Sequence, residues 1–168
     1  MSEFLKKLSS YNIFNYLLPG IIFVILIEKL TTYSLILDNM LLGLFLYYFI
    51  GLVISRLGSL ILEPLFKKIS IVQFSTYHDF INASKQDNKI ETLSEVNNMY
   101  RTFSALLVTV ILILVYKSVV AVIPLLLFIQ DYLLSVLLLI IFIFSYRKQS
   151  SYITKRINYY KDGSNSHE

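Results

Sequence analysis

The chain has 168 residues, of which 56% are hydrophobic and only 15% charged, with a formal net charge of +4 and no cysteine. A soluble domain usually carries about a quarter charged residues, so an ordinary water-soluble core is excluded, as are disulfides, thiolate nucleophiles and cysteine-based metal sites. The positive excess does not single out nucleic acid, because the basic residues lie beside long apolar runs, where membrane topology accounts for them.

In chain order, residues 1–15 read as a short interfacial lead-in. Phe4, Leu5 and Leu8 fall at helical spacing with Lys6 and Lys7 between them, and Tyr11, Phe14 and Tyr16 supply rings suited to the headgroup level. Asn12, Asn15 and Pro19 interrupt the first apolar run and no small-x-small cleavage site follows it, so it is expected to be a retained span over about 15–33 rather than a signal peptide. Pro19-Gly20 stands near its start, where proline is tolerated or kinks the helix. Glu28, Lys29 and Asp38 flank a short loop, and Asp38-Asn39 is a suitable N-cap for a second span over about 40–62. Glu63-Pro64 then disturbs the helix and Lys67-Lys68 anchors its end.

Residues 69–100 are the one sizeable polar stretch. Thr76 to Gln86 predicts a short helix with Tyr77, Phe80 and Ile81 on one side. Asp87-Asn88-Lys89 is a turn signal, and Thr92 with Glu95 three residues on predicts a capping box. Leu93, Val96, Met99, Tyr100 and Phe103 continue at helical spacing into a third span over about 102–120. After a tight turn near Ala121–Pro124 a fourth span covers about 125–146, closed by Arg147-Lys148. The tail, 147–168, reads as a short surface-lying helix with a frayed end.

Of the fifteen Lys and Arg residues, all but Lys29 and Lys117 fall in alternate gaps between the apolar runs. Lys- and Arg-rich short loops stay on the cytoplasmic side. The expected fold is therefore an all-α membrane protein of four transmembrane helices with both termini inside. It forms a single membrane domain of residues 1–168, with a cytoplasmic helical hairpin (about 67–101) between helices 2 and 3. Abundant Ile, Lys, Asn and Tyr without Trp fits an AT-rich bacterial genome, and the expected location is the inner membrane.

Four groups of residues stand out. Gly43, Gly51, Ser55 and Ser59 place small residues every four positions along the second span, apart from Tyr47; such a stripe serves either packing within the bundle or self-association. Arg56, near the inner end of that span, is either a snorkelling anchor or half of a cytoplasmic gate with Glu63. Lys117 and Asp131 each stand sixteen residues from a basic anchor, Arg101 and Arg147 respectively, about 24 Å along a helix. They predict an ion pair or shared polar layer with Gln130 and Glu28, lining an ion path, or else two independent interfacial charges. In the insert, Tyr77, His78, Phe80 and Ile81 are the candidate docking surface for a soluble cytoplasmic protein or small ligand; the alternative is a hairpin that only caps the bundle. His78-Asp79 has no accompanying ligand motif, and no phosphate loop, zinc signature or serine elbow is present. These absences point away from catalysis, cofactors and metals.

YNIFNYLLPG at 11–20, RLGSLILEP at 56–64 and NNMYRTF at 97–103 together resemble small uncharacterised bacterial four-span inner-membrane proteins, some associated with phage-defence gene clusters. The resemblance implies an accessory or effector role and carries no functional residue with it. The expected function is a non-enzymatic, oligomeric effector or channel-like component controlled through its hairpin. A membrane anchor for a soluble partner, or an accessory transporter subunit, is the alternative.

Overall fold

The computed structural model describes residues 10–165. The lead-in through Lys6-Lys7 and the end of the tail with His167 lie outside them. The described residues contain helices and no strand. Helix α1 covers 10–30, α2 Met40–Lys68, α3 Tyr77–Gln86, α4 Lys89–Val122 and α5 Leu125–Asn165. Four of these, α1, α2, α4 and α5, are long and apolar enough to cross a membrane.

Both of the first two spans carry a π-helical turn followed at the same offset by proline. In α1 the turn is Ile13–Leu17 ahead of Pro19, and in α2 it is Gly58–Leu62 ahead of Pro64. Proline has no N–H, so an α-helix running through it leaves the carbonyl four residues earlier without a donor. The helix answers by widening: Leu18 N–H bonds to Ile13 O and Glu63 N–H to Gly58 O, five residues back in each case. The predicted disturbance at Glu63-Pro64 is thus absorbed within the helix, which continues to Lys68. It ends where Ser70 takes a positive φ of 58°.

Asn39 caps α2 as expected, its Oδ1 accepting from Leu41 N–H at 3.0 Å and Leu42 N–H at 3.1 Å. Thr76 caps α3, its hydroxyl accepting from Asp79 N–H at 3.2 Å. The expected capping box at Thr92 does not form. Asp87 Oδ1 accepts from Lys89 N–H at 2.9 Å, so α4 starts earlier and Thr92 lies inside it. Nor does the tail break away as a separate surface helix. No helix-breaking residue separates Tyr146 from Asp162, and α5 runs unbroken for 41 residues, about 60 Å.

The core joins three spans. Phe23, Val24 and Ile27 of α1, Ile54 and Leu62 of α2, and Ala105, Leu106 and Val110 of α4 form one buried cluster. Ile141 is the buried hydrophobic residue that α5 contributes among the described residues. The difference is large: 44% of the most apolar stretch of α1 is buried within the chain, against 6% of that of α5.

Candidate functional site

Three basic residues gather at one end of the bundle around a single carboxylate. Glu63 is 9% exposed, and an ionised group so buried is stable only when paired. Arg101 Nη1 donates to its Oε2 at 2.6 Å, and Lys67 Nζ lies 3.2 Å and Lys148 Nζ 3.5 Å from its Oε1. Three cations from three helices thus meet one carboxylate, leaving an excess of positive charge. Lys148 has a second task set by Pro64. Ser59 O does not receive the Glu63 N–H, which bonds to Gly58 O, and Pro64 has none to give. Lys148 Nζ supplies the missing donor at 2.7 Å and also reaches Ser59 Oγ at 2.7 Å. With Glu63 this uses all three ammonium N–H groups and fastens α5 to α2.

Arg56 is not brought to Glu63. Its Nη2 donates to Tyr16 Oη at 3.1 Å, and Tyr16 sits edge-on between Tyr11 and Tyr48, with ring centroids 5.8 Å and 5.5 Å away. Burial, with the neighbouring Tyr16, pushes the Tyr11 phenol up to about 12, so it stays protonated at neutral pH.

The small-residue stripe divides between neighbours. A Cβ placed on Gly51 would land on the Tyr16 carbonyl, and one on Gly20 on the Tyr47 carbonyl. Helices α1 and α2 therefore touch backbone to backbone at a reciprocal pair of glycines. Ser55 faces α4, where its hydroxyl meets that of Thr102 at 3.2 Å, both groups buried. Ser59 faces Lys148 of α5, as described. Gly43 is buried, but a Cβ there would meet nothing nearer than the Tyr47 ring at 3.4 Å.

Beyond the membrane-length part of α5, Tyr159 reaches the face of α3 singled out in the sequence. Lys85 Nζ donates to Tyr159 Oη at 3.0 Å, Tyr159 donates to Asn82 Oδ1, and Asn82 Nδ2 reaches His78 Nδ1 at 3.0 Å. The chain of bonds is satisfied when His78 Nδ1 carries no proton and accepts from Asn82. The His78 ring also lies against Tyr159, 5.2 Å between centroids. Ile81 is buried, Tyr77 and Phe80 are half-buried and His78 is exposed. This face already carries a ligand from its own chain.

The opposite end of the bundle is sparse. Lys117 and Asp131 are both exposed, and no ion pair joins them; the ion pairs among the described residues all converge on Glu63. Gln130 is half-buried, while exposed Glu28 accepts from Ser34 Oγ at 3.3 Å. Tyr116 Oη to Leu126 O, at 3.5 Å, is the side-chain link between α4 and α5 there. No group of three or more His, Cys, Asp or Glu residues among the described ones is placed to hold a metal ion.

Lys148, Tyr159 and Asn15, discussed below, were not among the candidates. The only sequence signal for Lys148 is the Glu63-Pro64 pair, since a proline inside a helix announces a carbonyl in need of a donor. Tyr159 carries none as long as the tail is taken to lie on the membrane. No family model matches the chain, and neither does any curated protein or solved structure.

Proposed function

We propose that the chain is a non-enzymatic multi-pass protein of the bacterial inner membrane that works as an oligomeric effector or channel-like component. Both termini and the α3 lobe face the cytoplasm, as the positive charge gathered around Glu63 suggests. The observation that carries the oligomer is the condition of α4 and α5. Lipid tails satisfy their exposed apolar side chains, but not Lys117 and Asp131. The two charges are opposite, stand at matching depth about 24 Å from Arg101 and Arg147, and are not paired within the protomer. A second copy that sets its Asp131 against Lys117 satisfies both. Control comes from the other end. Helices α4 and α5 each run unbroken from the lobe into the membrane, so a partner or ligand that takes the α3 face from Tyr159 shifts both together.

Charge exchange tests this reading. Lys117→Asp and Asp131→Lys each reduce the cross-linked multimer of the full chain in liposomes, and the double exchange restores it. Ion flux through the same liposomes follows the multimer. A wild-type chain that stays monomeric at high protein density overturns the proposal. The second reading, an anchor that recruits a soluble partner or an accessory subunit of a transporter, is supported by the length of α5. It exceeds the roughly 30 Å hydrocarbon layer by about the same again. That reading expects multimers or complexes without flux.

A further inference from the structure

The π-helical turn at Ile13–Leu17 holds a polar group that nothing else in the chain explains. Asn15 is 1% exposed, and its Oδ1 has no hydrogen-bond partner. A buried polar atom left unpaired is expensive, and native folds rarely keep one without a purpose. Asn15 forms part of the wall of an open cleft of about 80 Å³ between the start of α1 and the start of α4. Tyr11, Phe14, Glu95, Val96 and Met99 line the rest. Phe14, Val96 and Met99 make its walls apolar, and Glu95, exposed at its edge, is the one formal charge in the lining among the described residues. Among the described residues, the cations that act on Tyr11 are held through their Nη groups, Arg56 by Tyr16 and Arg101 by Glu63, while Arg101 Nε has no partner.

The lining selects its ligand by elimination. An anion meets Glu95, and a purely apolar group leaves Asn15 unsatisfied. A quaternary ammonium has no N–H to give. With the unpaired Asn15 Oδ1 in its wall, the cleft can present an amide acceptor, a phenol oxygen and a carboxylate. The space suits a two-carbon arm and is far too small for a nucleotide. We infer that this cleft binds a primary ammonium on a short carbon arm, the chemistry shared by a phosphatidylethanolamine headgroup and a free alkylamine. The rings of Tyr11 and Phe14 suit the headgroup level of a bilayer, which favours the lipid as the source. The inference does not depend on oligomerisation.

The full chain in detergent, offered phosphatidylethanolamine and phosphatidylcholine in equal amounts, is read by native mass spectrometry. Ethylammonium, added to the chain in phosphatidylcholine nanodiscs, is read by thermal shift. Charge-assisted hydrogen bonds available to one headgroup and denied to the other predict retention of phosphatidylethanolamine by about tenfold. Glu95→Gln, an exposed change that leaves the fold intact, removes most of that preference, and Val96→Phe, which fills the cleft, abolishes it. Stabilisation by ethylammonium without lipid preference assigns the site to a free amine and supports the ammonium chemistry. Equal retention of the two lipids with no response to ethylammonium means that the cleft holds solvent only and overturns the inference. A lipid preference that survives both variants overturns it too, because the ammonium is then bound elsewhere.

Discussion

The two ends of this helical bundle are held by different physics. At the basic end, α1 and α2 touch through glycine backbones, Ser55 meets Thr102, and Lys148 and Arg101 bind α5 and α4 to α2 through Glu63 and Ser59. At the other end α4 and α5 are joined by a weak tyrosine contact, and two charges stand exposed. A membrane removes the hydrophobic drive between helices, so whatever holds them must be close packing or polar contact. The first three spans have both. The fourth has them only near its basic anchor, which leaves its remaining length free to meet lipid or another copy.

The sharpest way to break the contrast is at the glycines. Gly51→Ala places a methyl group on the Tyr16 carbonyl, a rigid atom that cannot step aside. The helices must separate, with a loss at or above the top of the roughly 1–3 kcal/mol range for overpacking. A denaturant titration in mixed micelles measures it. Gly43→Ala, in the same helix and also buried, meets nothing closer than 3.4 Å. It is expected to be neutral or stabilising by up to about 1 kcal/mol through helix propensity. Equal losses for the two variants would remove the backbone contact as the basis of the α1–α2 pairing.

Glu63→Gln comes next. It leaves Arg101, Lys67 and Lys148 around a neutral amide, and Lys148 keeps its bonds to Ser59. The cations retain some access to solvent, so the expected loss is about 2 kcal/mol, typical of hydrogen bonds to charged groups, rather than the larger figure for a fully buried ion. Lys148→Met tests the same fastening from α5. It should loosen that helix selectively, seen as faster proteolysis beyond residue 147 with α1–α2 cross-links unchanged.

Tyr159→Phe removes the hydroxyl that stands between Lys85 and Asn82. The expected loss is about 1 kcal/mol, too little to unfold the bundle and enough to free the end of α5 from α3. The end of α5 beyond Tyr152 should then be cut faster by an added protease than in the wild-type chain. If α5 transmits the state of the lobe, the variant also changes flux. If it does not, the lobe is a cap.

How much of this was legible differs along the chain for physical reasons. The four apolar helices and the cap at Asn39 were readable because length, hydropathy and capping are local properties. Spacing marked Gly51 and Ser55 as members of one small-residue stripe, but could not say which helix each would face. The Glu63 cluster was not readable: Arg56 stands seven residues away on the same helix, while the true partners Arg101 and Lys148 are 38 and 85 residues distant. Sequence spacing describes neighbours on one helix and is silent about which turns of separate helices meet. The pairing of Lys117 with Asp131 was drawn from equal depth alone. Equal depth fixes height in the membrane and leaves rotation about each helix axis undetermined.

Rotation is also what the smallest effect measures. Tyr116 Oη lies 3.5 Å from Leu126 O, at the limit of a useful hydrogen bond. That carbonyl lies in the first turn of α5, well away from the four C-terminal carbonyls that a helix leaves unpaired. Removing the hydroxyl therefore strands nothing, and Tyr116→Phe should change the stability of the isolated protomer by less than about 0.5 kcal/mol. The same substitution in a Thr102→Val background should add its small effect independently, since the two contacts share no residue. A loss for Tyr116→Phe that grows with protein concentration would have a different meaning. It would place Tyr116, one residue from Lys117, at a contact between copies, and the sparse end of the bundle would be the interface rather than merely the looser half.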